Sequence, residues 1–197
     1  MIRLGLTGSM ATGKSTVANM FREQNVPIYD ADKAVHELYE GEAVGPVGEL
    51  FPDAIVNGQV DRKALSAIVL NDKTKLASLE KVVHPLVHQK MHQFIDDHRK
   101  AGADLVILEI PLLFETGKTY PLDKIVVTYC ADDIQFQRAM GRPGMTKEKF
   151  EAIKTRQMPQ SEKRKRADFA IDTGTKMDQT RQAVDDVITS CRALANQ

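Results

Sequence analysis

The chain of 197 residues predicts an α/β fold of the three-layer P-loop NTPase and nucleotide-kinase type, with a five-stranded parallel sheet flanked by helices. Three observations lead there. A short apolar strand, Ile2-Arg3-Leu4-Gly5-Leu6, runs into Gly8-Ser9-Met10-Ala11-Thr12-Gly13-Lys14-Ser15, the spacing of a phosphate-binding loop. Apolar residues at helical spacing follow from Val17, and Val26-Pro27-Ile28-Tyr29 reads as a second strand, which predicts parallel pairing through a right-handed crossover. Further on, residues 104–110 are almost continuously apolar, as in a strand buried on both faces.

The loop carries its chemistry in its residue types. Gly8 and Gly13 reach backbone conformations that a β-carbon forbids, so the loop can wrap an anion with its amides. The following helix aims its positive end at the same point. The nucleotide contacts expected from this loop are Gly8, Ala11, Thr12, Gly13, Lys14, Ser15 and Thr16, with Lys14 reaching the β- and γ-phosphates of ATP and Ser15 ligating Mg²⁺.

Beyond the second strand stand Asp30 and Asp32, at the carboxyl edge where ligands bind in parallel sheets. One of them suits the N-cap of the next helix, and Asp32 is favoured as the functional carboxylate. Residues 41–48 read as a glycine-rich loop, and Phe51-Pro52 and Asn57-Gly58 as turns. Three successive helices without a strand follow: 62–70 capped by Asp61, 73–82 capped by Asn71 or Asp72, and a third opened by His84-Pro85. Such an insertion suits one wall of an acceptor cleft. His84, His88 and His92 share a face, but lack the acidic and cysteine partners of a metal site; His84 keeps a claim as a substrate contact.

After the apolar strand come Glu109 and Pro111-Leu112-Leu113-Phe114-Glu115, whose apolar side chains suit either core or a ligand wall. Glu109 is positioned to orient Mg²⁺ through water. A strand over 124–129 precedes a helix bearing Gln135, Arg138 and Arg142, then Pro143-Gly144 and another helix, 147–156. Helix, glycine turn and helix with arginines at the junction predict a lid. The run Lys163-Arg164-Lys165-Arg166 reads as the solvated face of a short helix. Residues 169–172 form a last strand and 177–194 an amphipathic helix. The organisation is a single domain: core 1–40, 103–137 and 167–197, helical substrate-binding insertion 41–102, lid 138–166.

Acidic and basic residues balance at 27 each, so no global field favours nucleic acid or an anionic membrane. Two distant cysteines, Cys130 and Cys191, suit a reducing compartment. No leader or span is apparent, so a cytoplasmic protein, monomer or small homo-oligomer, is expected. A GTPase would carry a D-x-x-G after a strand and N-K-x-D, and a motor ATPase a strand ending in consecutive acids; neither pattern occurs. A small-molecule kinase with a water-excluding lid remains, with a non-enzymatic ATP-binding regulator as its rival.

In Gly5-Leu6-Thr7-Gly8 leading to Gly13-Lys14-Ser15-Thr16, in Asp30-Ala31-Asp32, His84-Pro85-Leu86, Pro111-Leu112-Leu113-Phe114-Glu115, Arg156-Gln157-Met158 and Ala167-Asp168-Phe169-Ala170-Ile171-Asp172, the sequence resembles the dephospho-coenzyme A kinase family. The resemblance spans almost the whole chain. It implies ATP- and Mg²⁺-dependent phosphorylation of the ribose 3′-hydroxyl of dephospho-CoA. It also implies Asp32, Lys14 and Arg142 as catalytic residues, and Asp30, His84, Leu113, Phe114 and Arg138 as acceptor contacts. The chain departs from the family pattern at Ser9-Met10-Ala11-Thr12, where Gly-Ile-Gly-Ser or similar is usual, and at Thr173-Gly174-Thr175, where Asn followed by Ser or Gly is usual. A stiffer loop is expected from the first departure. The second falls on the stretch that the resemblance places near the adenine.

Overall fold

The strand and helix signals at the two ends of the chain build one sheet. In the computed structural model, which describes residues 1–195, its strands are β1 (Ile2–Gly8), β2 (Ile28–Asp30), β5 (Leu105–Glu109), β6 (Lys124–Tyr129) and β7 (Phe169–Asp172). Their order across the parallel sheet is β2-β5-β1-β6-β7. β1 is central and fully enclosed in its second half because both neighbours run parallel to it. The chain leaves β1 first toward one edge and later toward the other, so the crevice at its carboxyl end is the switch point where ligands bind in such sheets.

Helices α1 (Lys14–Glu23) and α9 (Met177–Ala195) supply much of the apolar cover. Val17, Ala18, Met20 and Phe21 of α1 join Val184, Val187, Ile188 and Cys191 of α9 around Leu4, Leu6, Ile107, Val126 and Ile171. Acidic side chains pin the sheet's polar edge. Asp123 takes both Nε (2.9 Å) and Nη2 (2.6 Å) of Arg3, and that pairing holds its carboxyl below the ordinary range. Asp168 accepts from the Ile125 amide and from Lys124 Nζ, both at 2.8 Å.

Residues 30–97 form a second compact unit, the remainder being the sheet unit. The helical unit holds α2 (Ala31–Glu40), α3 (Val44–Leu50), α4 (Arg62–Val69) and most of α5 (Lys73–Lys100). Leu38, Val47, Phe51, Val60, Leu65, Leu79 and Val83 make its own core. Three expectations need correction here. The stretch expected as a glycine-rich loop over 41–48 runs into α3, where burial of Val47 outweighs the helix-weakening glycines. A two-stranded antiparallel hairpin, β3 (Ile55–Val56) and β4 (Gln59–Val60), interrupts the helices. Asn57 and Gly58 both take positive φ, 52° and 77°, the backbone of a two-residue hairpin turn. In addition, α5 is one helix of 28 residues with Pro85 inside it, and no new helix opens at His84. Leu79, Val83, Met91 and Ile95 are buried on both sides of the proline, so a continuous apolar face outweighs a cost of about 3 kcal/mol.

The basic run is also differently placed than its charge suggests. In α8 (Gln160–Arg166), Lys163 is fully buried and forms an ion pair with Glu115 at 2.7 Å. Arg164 lies over the Tyr129 ring, 3.9 Å from its centroid. A helix packed against a sheet cannot solvate four consecutive long side chains, because they point around the full helix.

Replacing Lys163 by Met leaves the Glu115 carboxylate buried and unpaired. It is expected to destabilise the protein by about 3–5 kcal/mol in chemical denaturation, with most of that regained when Glu115→Gln is added. Burial pushes the Cys191 thiol up to about 11 from 9.0. The unfolded chain then loses its proton first, so stability is expected to fall as pH rises through that window, and Cys191→Ala should lessen the alkaline loss in a thermal-melt series.

Candidate active site

β1 stops at Gly8 and α1 starts at Lys14, with Gly13 as its N-cap at φ +81° and no side-chain cap on the helix. The first-turn amides of α1 are therefore left for an anion. The two loop glycines are required for different reasons. A β-carbon on Gly8 would stand 2.2 Å from Thr128 Oγ1. One on Gly13 would stand 2.9 Å from Thr173 Cβ, on a backbone that already disfavours it. Between them Ala11 holds φ +61°, a left-handed conformation that costs an L-residue on the order of 1 kcal/mol.

Hydroxyl groups brace the loop from beneath. Thr12 Oγ1 donates to Ser9 O at 2.8 Å and lies 3.0 Å from Thr128 Oγ1, on the strand in register with Gly8. Thr173 Oγ1 donates to Thr12 O at 2.9 Å. Arg138 grips Thr173 through Nη1 to its hydroxyl (3.0 Å) and Nη2 to its carbonyl (2.7 Å). Arg138, expected among the acceptor contacts, thus holds the residue that packs on Gly13.

The charges are arranged as strictly. Leu6 pairs with Glu109 across β1 and β5, which puts that acid beside the loop. Glu109 is 5% exposed, is ion-paired to Lys14 and has Arg22 at 3.7 Å. Ser15 and Thr16 are exposed in the first turn of α1. Among the described residues no group of three metal-ligating acids, histidines or cysteines occurs. A cation here would be held by the exposed Ser15 hydroxyl, nucleotide oxygens and water.

The segment expected as a lid, 138–166, takes in the end of α6 (Asp132–Met140), α7 (Lys147–Arg156) and α8. Thr146 caps α7 by accepting from the Lys149 amide at 3.3 Å. Met10 and Ala11 of the loop pack with Phe136, Ala139, Met140, Met145 and Phe150 of these helices and their turn. Arg142 sits in that turn, exposed, with no ion pair among the described residues. A cleft of about 550 Å³ opens between Ser9, α6 and the 157–161 segment. Leu113 is buried near Gly5, Phe114 is half-buried, and Leu112 is 44% exposed.

In the helical unit, Asp30 is the N-cap of α2, accepting from the Lys33 amide at 3.0 Å. Asp32 stands exposed in the first turn of that helix. His84 is half-buried on α5, with Nε2 4.0 Å from Glu80 Oε1. The sheet unit thus gathers Gly8, Ala11, Thr12, Gly13, Lys14, Ser15, Thr16, Leu113, Phe114, Arg138 and Arg142, while Asp30, Asp32 and His84 belong to the other unit. Thr128, Gln135, Gln157 and the Thr173 brace were missed. Thr173 lies at a departure from the family pattern and Gln157 inside a family motif, the two signals that could have found them.

Comparison with known proteins agrees with this geometry. The dephospho-CoA kinase family model matches residues 2–179. A dephospho-CoA kinase from Rhizobium meliloti is 51% identical over 193 residues, covering 98% of this chain and 100% of the relative. One from Brucella melitensis is 47% identical, covering 96% and 94%. Among solved structures, a Thermus thermophilus protein superposes with TM-score 0.84 at 34% identity over 96% of each chain. The Campylobacter jejuni dephospho-CoA kinase does so with 0.68 at 27%, again over 96% of each. A shikimate kinase from Bacteroides thetaiotaomicron, at 0.53 and 19% identity over 96% of this chain and 97% of its own, shares the fold. With the phosphate loop, its buried acid and these relatives in agreement, the chain belongs to the dephospho-CoA kinase family.

Proposed function

We propose that this enzyme transfers the γ-phosphoryl group of ATP to the ribose 3′-hydroxyl of dephospho-CoA, giving coenzyme A and ADP, with Asp32 as base and Lys14 and Arg142 on the phosphoryl group. The observation that carries the reaction is the family match over residues 2–179. The amides of residues 11–16 and Lys14 bind the phosphates. Asp32 takes the 3′-hydroxyl proton as its oxygen bonds to the γ-phosphorus and the bond to ADP breaks. Supporting this assignment, Asp30 is consumed as a helix cap and Asp32 is the carboxylate left exposed beside it.

Of the two lid arginines, Arg138 is committed to Thr173, whereas Arg142 is exposed and available to a transferring phosphoryl group. Ser15, exposed at the start of α1, would supply one hydroxyl to Mg²⁺, with nucleotide oxygens and water as its other ligands. The ion would supply neutralisation of the phosphate charge. We assign His84, Leu113 and Phe114 to the adenosine and pantetheine arm of the acceptor. Two free, buried cysteines support a cytoplasmic setting. The balanced charge supports a monomer or small homo-oligomer without nucleic-acid or membrane partners.

ADP release from ATP and Mg²⁺ is expected to depend on dephospho-CoA and not on AMP or adenosine, with the new phosphate on the 3′-oxygen. Turnover with another acceptor alone overturns the substrate. Asp32→Asn should lower kcat by about 10²–10⁴-fold. Arg142→Ala should lower kcat by on the order of 10³-fold; a rise confined to the KM for ATP would make it a binding residue instead.

A further inference from the structure

The phosphate loop of this chain lacks glycine at its four central positions, yet Ala11 is left-handed and its neighbours must still present amides outward. Something outside the loop has to hold that conformation. The main-chain N–H of Met10 donates to Gln157 Oε1 at 2.9 Å, and the carbonyl of Met10 accepts from Gln135 Nε2 at 2.7 Å. Both main-chain polar groups of one loop residue are thus taken by carboxamides, one from α6 and one from the end of α7. We propose that Gln157 and Gln135 are positioning residues for ATP binding. They form a two-sided clamp on Met10 that replaces glycine flexibility with external bracing.

The direction of each amide is set by its surroundings. The Cys130 amide, at the end of β6, donates to Gln160 Oε1 at 3.1 Å, which turns Gln160 Nε2 toward Gln135 Oε1, also at 3.1 Å. Gln135 is 2% exposed, and with its oxygen occupied its nitrogen must face Met10. A fixed backbone donor thereby orients a chain of side chains ending on the phosphate loop. Gln157 caps the end of α7, so α6 and α7 each contribute one arm. The Met10 and Ala11 side chains pack into the same helices, and this apolar contact alone does not determine which way the peptide groups point. The hydrogen bonds do.

This inference rests on the kinase reading, and its test separates the two. ATP dissociation constants, measured by calorimetry without acceptor, are compared with the KM for dephospho-CoA and the melting temperature in four proteins: wild type, Gln157→Leu, Gln157→Glu and Gln135→Glu. Gln157 is half-buried, so its variants should fold. Gln157→Leu is expected to weaken ATP about tenfold, the effect of one lost buried hydrogen bond, while the acceptor KM stays put. The two glutamate variants add the same charge against the same residue. Gln157→Glu keeps an acceptor for the Met10 amide, whereas Gln135→Glu sets an oxygen against the Met10 carbonyl, and it should bind ATP at least about fivefold more weakly. Unchanged ATP binding in Gln157→Leu, or equal losses in the two glutamate variants, overturns the clamp. Absence of wild-type turnover with dephospho-CoA would instead overturn the acceptor assignment and leave the ATP comparison standing.

Discussion

A phosphate-binding loop must keep its amides pointing at an anion while every other polar group near it is satisfied elsewhere, and the structure is built around that demand. Backbone donors gathered in a tight nest repel one another. Bracing from within the loop and from the residues around it offsets that. Thr128 fills the space that a side chain on Gly8 would need, Thr173 does the same for Gly13, and Thr12 ties back to Ser9. Arg138 locks Thr173 in turn. Thr128, Thr173 and Arg138 come from the carboxyl ends of strands or from the helix that follows one, because parallel pairing brings those ends to one rim.

The same logic sorts the charges. Charges that hold structure are buried and paired: Glu109 with Lys14 and Arg22, and Glu115 with Lys163. Removing a cation from beside a carboxylate as enclosed as Glu109 would leave a buried charge without its partner, a strongly destabilising change. Of the charges proposed for chemical roles, Asp32 and Arg142 are exposed, whereas Lys14 is ion-paired to Glu109 and half-buried. An exposed group is open to a substrate, and Lys14 is aimed by the acid that holds it.

The sheet scaffold is shared with a shikimate kinase at 19% identity, and a fold by itself does not specify a function. In this chain residues 30–97 form a compact unit with a core of its own, and its long helix α5 absorbs a proline to keep one apolar face.

Local rules made the phosphate loop, the parallel strands and the caps at Asp61 and Thr146 legible in the sequence, because glycine, proline and cap residues act within a few positions. The Asp30 and Asp32 pair was legible as a pair, and the structure decided which one is the cap. Long-range packing was not legible. The hairpin at residues 55–60 was legible only as its Asn57-Gly58 turn. The burial of Lys163 and the glutamines on Met10 depend on partners far away in the chain, and the unbroken α5 on the burial of one face along its length. By itself the sequence determined the fold class, the nucleotide loop and the family, since those are written in short-range pattern and spacing. Only the tertiary structure decided which side chains brace that loop and which remain exposed, because a side chain's hydrogen-bond partner is set by what the fold brings to it.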